Sequence, residues 1–291
     1  MKTKKVYALG FFDGVHIGHQ TLLEQCRQLA WDLDAIPAAI TFDRHPQSLF
    51  LPDPPPLLNT NQDRQTLLRH YGMELVHSIP VTRENMAQPW QDFLEGLVAD
   101  GAIGFVCGYD FRFGQKGEGN AEKLEDFCRQ HDLSFIIVPE IIMDGQRISS
   151  SRIRMLIESG DMDTAVKYLG HPHIFSGEVV PGKQLGRTLG IPTANLCLPE
   201  GIVCPKFGVY ACLAQVEGAF YRAVTNVGIR PTVSGAGITV EPWILDFSGD
   251  LYGKTITLRF CHFLRPEKKF DSLEALKAEI LRNAQQTREL L

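Results

Sequence analysis

The stretch Gly10-Phe11-Phe12-Asp13-Gly14-Val15-His16-Ile17-Gly18-His19-Gln20 joins a short apolar run, Val6 to Phe12, to a helix-length amphipathic segment, His19 to Leu33. Its three glycines let the main chain come close to a ligand, and a helix starting here offers unpaired N–H groups to an anion. His16 and His19 stand three positions apart, so both imidazoles project from one side of the first helical turn. There they can donate hydrogen bonds to phosphate oxygens while charge gathers on a departing pyrophosphate. Gly10, Phe12, Asp13 and Gly14 form the turn that would wrap the nucleotide. Three plainer readings compete: chance, a pair of metal ligands, or ordinary polar residues at a helix start. A metal pair lacks an obvious third ligand, and the shared strand–glycine–helix junction weighs against chance.

Outward from this turn, apolar runs alternate with helical patterns. The runs are Val6–Phe12, Ala38–Phe42, Leu75–Ile79, Ile103–Gly108 and Phe135–Pro139. Between them lie amphipathic stretches near His19–Leu33, Asp63–Tyr71, Pro89–Asp100 and Ala121–His131. Such alternation predicts a parallel sheet covered on both faces, with ligands at the carboxyl ends of its strands. From His173 the grammar changes. Ile174–Val180, Gly208–Val216, Phe220–Val227, Ile238–Phe247 and Thr255–Phe263 read as strands separated by turns, an antiparallel barrel or sandwich. A closing helix is predicted with Asp271 as N-cap, Glu274 at the third position, and Leu273, Leu276 and Ile280 on one face. The expected class is thus α/β plus all-β, with domains over residues 1–170 and 173–291.

At 291 residues, two domains are the natural expectation. A net charge of −5 argues against nucleic acid as a partner, which asks for a broad basic face. Seven scattered cysteines with no CxxC spacing read as reduced thiols. The Met-Lys-Thr-Lys-Lys start is followed by too short an apolar run for a secretory signal, and no stretch approaches a membrane span. The expectation is a cytoplasmic protein with no membrane partner; self-association is left open.

Two further segments suit the first site. Ser149, Ser150 and Ser151 open a helical stretch with Arg152 beside them, and would hold the far end of a triphosphate. Alone, that segment reads better as a serine cap with a solvated arginine. Tyr109, Phe111 and Phe113 surround Asp110 at another strand end, where the rings would stack on a heterocycle or fill the core. The proline-rich loop from Phe42 to Pro56 is long enough to be a flap. His16-Ile17-Gly18-His19 is also the signature string of class I aminoacyl-tRNA synthetases, but the chain lacks their lysine-rich loop and is acidic.

A second candidate site spans Gly182 to Asn195. Gly182, Gly186 and Gly190 are spaced by four, permitting a flap over phosphates, although no Walker A sequence is present. Thr193 and Asn195 offer hard oxygen ligands suited to Mg²⁺, and Arg187 offers charge neutralisation. A plain glycine-rich surface loop fits these residues as well. Glu241 sits in a largely apolar strand, where alternation alone favours a solvated face over a proton-accepting role.

Taken together, GFFDGVHIGHQ, FDRHP, GYDFRFG, ISSSRIR, GRTLGIPTAN, NVGIRPT, EPWILDFSGDLYG and LRPEKKFDSLEALKAEI resemble, in order, the prokaryotic bifunctional riboflavin kinase/FMN adenylyltransferase family. The resemblance implies a Rossmann-like HxGH nucleotidyltransferase domain followed by a six-stranded antiparallel riboflavin-kinase barrel with a C-terminal helix. It implies that His16, His19, His45, Asp110, Ser149 and Arg152 serve adenylylation. It further implies that Thr193 and Asn195 hold Mg²⁺–ATP, and that Glu241 is the base toward the ribityl hydroxyl, against the solvated-face reading. ATP is the implied co-substrate, with riboflavin and FMN as substrates. A runner-up keeps only FMN adenylylation and makes the barrel a flavin-binding module. Four positions depart from the family's pattern. Arg44 stands where proline is usual, and Tyr109 where an acidic or different aromatic residue is common. Pro242-Trp243 stands where a small residue and histidine are common.

Overall fold

The computed structural model describes residues 2–182, 186, 190–232 and 235–291, and the chain divides into two compact units. The first comprises Met1–Leu57 and Asn61–Ser150; the second comprises Leu58–Thr60 and Ser151–Leu291.

The first unit is built on β1 (Lys5–Leu9), β2 (Ile36–Phe42), β3 (Leu75–Ile79), β4 (Ala102–Gly108) and β5 (Ser134–Val138), all parallel in the order β3-β2-β1-β4-β5. Val6 through Leu9 are buried almost without residue, as expected of a strand covered on both faces. On one face Tyr7, Ile40, Phe105 and Cys107 meet α4 (Trp90–Ala99) and α5 (Ala121–Gln130). On the other lies α1 (Ile17–Asp32), whose buried Cys26 thiol donates to the Val6 carbonyl. Helix α2 (Asn61–His70) follows the proline-rich loop, and the short α3 (Arg83–Met86) follows β3. The strand order reverses beside β1, so the carboxyl ends of β1 and β4 open a crevice there. A small hairpin, β6 (Ile142–Met143) with β7 (Gln146–Arg147), completes the unit.

The second unit is a six-stranded antiparallel sheet in the order β8-β13-β10-β11-β12-β9. Its strands are β8 (His173–Glu178), β9 (Leu196–Cys197), β10 (Gly208–Val216), β11 (Ala219–Thr232), β12 (Gly235–Ile244) and β13 (Thr255–Pro266). The sheet curls until its first and last strands face each other: just beyond β8 the Val180 amide donates to the Asn195 carbonyl at 2.8 Å. This makes a nearly closed barrel. Helices α6 (Ser150–Ser159, all but its first residue) and α7 (Met162–Leu169) belong to this unit, as does the strap Leu58–Thr60, where the buried Asn59 donates to the Ile174 carbonyl.

Helix α8 (Leu273–Leu290) closes the chain. Its N-cap is Ser272, not Asp271: the Ser272 hydroxyl accepts from the Ala275 amide at 3.1 Å, which moves Glu274 out of the capping-box position. Only Asn283, Ala284 and Thr287 are buried, while Leu273, Leu276 and Ile280 stay partly or largely open.

Candidate active sites

In the first unit the chain leaves β1 through a strained turn. Phe12, Gly14 and Val15 have φ of 58°, 79° and 40°, and a left-handed β-branched Val15 costs on the order of 1–3 kcal/mol. Gly10 must be glycine, since a Cβ there would lie 2.8 Å from the Phe12 ring. The turn delivers His16 as the N-cap of α1, with its Nδ1 accepting from the His19 amide at 3.4 Å. An accepting Nδ1 leaves Nε2 as the proton-bearing nitrogen of a neutral His16 ring. The two imidazoles stack with centroids 3.7 Å apart. Burial, then His16, then Arg64 push the His19 pKa well below its ordinary value, so this ring is neutral at physiological pH. The site thus presents two stacked imidazoles at a helix N-terminus, with the His19 ring neutral.

Arg64, on α2, escaped the sequence reading because its neighbours Asn61, Gln62 and Asp63 look like a solvated helix face. It is 0% exposed. One guanidinium nitrogen donates to the Phe42 carbonyl at the end of β2 and to Asn61, and the group lies 4.5 Å over the Phe11 ring. Its Nε and Nη1 are buried with no hydrogen-bond partner. Burial lowers its pKa to about 10 against the opposing pull of Asp13 and Asp43. A buried cation therefore sits behind the imidazoles.

Around this centre, Ser150 donates to the Asp13 carbonyl at 2.9 Å, and His45 caps a short turn by accepting from the Gln47 amide. The Phe11 and His45 rings meet edge to face at 5.2 Å. Arg44 donates to the Val81 carbonyl, a bond that proline at this position could not supply. Gly10, Phe111 and Phe113 line a mainly apolar cavity of about 670 Å³, together with Phe42, Phe50 and Phe93. Phe111 and Phe113 stack at 5.5 Å. Tyr109 and Asp110 line a different, smaller cavity, and the Asp110 carboxylate pairs with Arg147. Ser149 is partly buried beside Ser150. Arg152 lies in the second unit, its guanidinium 6.0 Å over the Tyr168 ring.

In the barrel, Glu241 lines a cavity of about 460 Å³. Alternation alone put this carboxylate on a solvated face; the curled sheet instead turns its side of β12 toward the cavity under α8. Its Oε1 accepts from the Thr239 hydroxyl at 3.1 Å, and it pairs across the ladder with Asn226. Thr193, Asn195 and Gly186 line the same cavity. The Ala194 amide donates to the Pro242 carbonyl at 2.9 Å, which fixes Thr193 and Asn195 beside β12. Gly186 must be glycine, because a Cβ would lie 2.2 Å from the Ile191 carbonyl oxygen. Gly182 backs directly onto the Asn195 amide, and Gly190 has a φ of 73°. Arg187 lies outside the described residues. Burial lowers the Arg265 pKa while Glu279, 3.4 Å away, opposes the change.

Each unit matches a family model of its own. Residues 1–152 match FAD synthetase, and residues 169–291 match riboflavin kinase. The bifunctional riboflavin kinase/FMN adenylyltransferase of Listeria monocytogenes is 34% identical, over 98% of this chain and 91% of that protein. The protein of the same name from Haemophilus influenzae is 36% identical, over 94% and 89%.

The chain belongs to the bifunctional riboflavin kinase/FMN adenylyltransferase family.

A solved structure titled macrolide-efflux protein from Streptococcus pneumoniae superposes with a TM-score of 0.88 at 32% identity, covering 99% of this chain and 95% of that one. Among the described residues no helix is long and apolar enough to cross a membrane. Within this family setting, the imidazole pair belongs to the FAD-synthetase unit and the Glu241 cavity to the riboflavin-kinase unit.

Proposed function

We infer that this chain phosphorylates riboflavin to FMN in the barrel and adenylylates FMN to FAD in the parallel-sheet unit. The observation that carries the reading is the chemical contrast between the two sites, which suits two different nucleophiles. A phosphate ester is already an anion and needs no base, whereas a primary hydroxyl must lose a proton as it attacks.

In the barrel, Glu241 accepts the proton of the riboflavin 5′-hydroxyl as that oxygen bonds to the γ-phosphorus of ATP and ADP departs. Its Thr239 contact holds the carboxylate in place. Thr193 and Asn195 present a hydroxyl and a carboxamide oxygen, neutral hard donors that fit Mg²⁺ shared with a nucleotide. They would hold the ion, which supplies charge neutralisation between phosphates when bound. Gly182, Gly186 and Gly190 bring main chain close to the nucleotide, with Arg187 as a phosphate partner.

In the first unit, the FMN phosphate attacks the α-phosphorus of a second ATP, the α–β bridging bond breaks, and pyrophosphate leaves. His16 and His19 donate to the oxygens that gain charge, and the α1 N-terminus adds its dipole. The turn of Gly10, Phe12, Asp13 and Gly14 shapes the nucleotide site, with His45 at its flap and Phe111 and Phe113 against the flavin or adenine ring. Asp110, Ser149, Ser150 and Arg152 are assigned to the same reaction by resemblance. A need for ATP and flavins as substrates supports a cytoplasmic protein.

Incubating the pure protein with riboflavin, Mg²⁺ and ATP, then separating flavins by chromatography, tests the reading. FAD formed from riboflavin supports both activities. FAD formed only from added FMN would reduce the barrel to a flavin-binding module.

A further inference from the structure

Two neighbouring rungs of one ladder set a polar pair and an apolar pair side by side in the barrel cavity, whose lining also holds Arg265, Glu267, Lys268 and Asn283. On β12, Glu241 and Trp243 are two residues apart, so they share a face and stand ~7 Å apart along the strand. Opposite them on β11 are Asn226 and Val224 respectively. All four residues line the same cavity. The polar rung, Asn226–Glu241, has Thr193 and Asn195 in the same wall. The apolar rung, Val224–Trp243, joins a cluster with Val209, Leu245 and Ala284 of α8. The helix contributes Leu276 and Ile280 to the cavity, and neither is fully covered by protein. This apolar wall is therefore left partly open to the cavity.

A substrate that fits has its reacting hydroxyl at one end, a hydroxylated chain about as long as one strand repeat, and a flat apolar ring system at the other end. Riboflavin has that shape. With its hydroxyl at Glu241, the ribityl chain runs along β12 and the isoalloxazine falls at Trp243. We propose that Trp243 is the ring-recognition residue of the kinase site, its indole packing against the isoalloxazine and selecting a flat aromatic substrate. This assignment rests on the placing of the kinase reaction at Glu241. It gives a role to a residue that stands where histidine is common in the family. Trp is the side chain with the largest apolar face for such a contact, and stacking of this kind tolerates polar edges on the ring.

The test separates binding from chemistry. Flavin emission is quenched by an indole in contact with the ring. The chain has three tryptophans, so the full-length protein carrying Trp31→Phe and Trp90→Phe leaves Trp243 as the sole indole. Riboflavin titrated into it without ATP should lose its emission on binding. Adding Trp243→Phe should leave riboflavin bound, by equilibrium dialysis, but bright. Trp243→Ala should raise the riboflavin KM about tenfold with the ATP KM unchanged, and Trp243→Phe should restore most of that loss. Equal emission from bound riboflavin with and without Trp243 would overturn the proposal. So would a parallel rise of both KM values, which marks a packing role alone. Because emission is read without turnover, an error in the role of Glu241 leaves this outcome untouched.

Discussion

The two units handle charge in opposite ways. Behind the stacked imidazoles of the parallel-sheet unit lies a fully buried guanidinium with unpartnered N–H groups, and one imidazole is forced neutral. The barrel cavity instead sets neutral oxygens and the Glu241 carboxylate on a polar rung beside an apolar wall, with Arg265, Glu267 and Lys268 also in its lining. The difference follows from the nucleophile each is proposed to serve. Two phosphates brought together repel, so the first unit gathers donors and positive field. A neutral hydroxyl has no such repulsion but holds a proton, so the barrel supplies a base.

That contrast can be broken by removing each unit's distinctive group. Glu241→Gln keeps the size and hydrogen bonding of the side chain while abolishing its basicity. It should slow FMN formation by ~10²–10⁴-fold and leave FMN adenylylation intact, as measured by flavin chromatography from riboflavin and from FMN. Equal loss of both steps would mean that one centre serves both reactions. Replacing His16 and His19 together with alanine should slow FMN adenylylation by ~10²–10³-fold without changing riboflavin phosphorylation. Undiminished FAD synthesis in a folded double variant would remove the imidazoles from the reaction.

Arg64 sharpens the comparison further. Arg64→Met retains volume and removes the buried charge, so folding should survive. The Phe42 carbonyl loses its donor, and the FMN adenylylation rate should fall about tenfold through misplacement of the turn. One of the three causes that lower the His19 pKa also disappears, while burial, the largest, remains. The acid limb of the adenylylation rate should therefore move slightly upward in pH. Stability carries the same sign. The native pKa of His19 lies below its unfolded value, so as pH falls below about 6.5 the unfolded chain takes up the proton first. This residue's share of stability is full above that pH and is lost as pH falls toward the native pKa. In Arg64→Met that window should narrow. An acid limb that stays in place would detach Arg64 from the imidazole.

The sequence made the strand–helix alternation legible because a parallel strand buried on both faces is a continuous apolar run, as Val6 to Leu9 is. The glycine turn was legible too, since close approach at Gly10 and left-handed backbone at Gly14 leave a mark on residue type. Two-residue strands such as Leu196–Cys197 have no period to read. Alternation alone could not place Glu241 in a cavity lining, because it distinguishes two faces without saying which one a helix roofs. Arg64 was invisible because its burial depends on the Phe42 carbonyl and the Phe11 ring, contacts 22 and 53 positions away in sequence.

The smallest expected effect concerns the roof of the barrel cavity. Ser272→Ala removes the hydroxyl that accepts from the Ala275 amide and leaves the start of α8 uncapped. The cost should be about 1 kcal/mol, lowering the Tm of the barrel by a few degrees (about 3–6 °C). Riboflavin, whose proposed wall includes Leu276 and Ile280 of that helix, should recover part of the loss through linkage. The parallel-sheet unit, whose centre rests on the β1 turn, should unfold at its usual temperature in calorimetry. A shift in the transition that FMN and ATP protect, with none in the one riboflavin protects, would place α8 outside the flavin pocket. Asp271→Ala is the matched control: its carboxylate is not the cap in this structure, so its Tm change should be the smaller of the two.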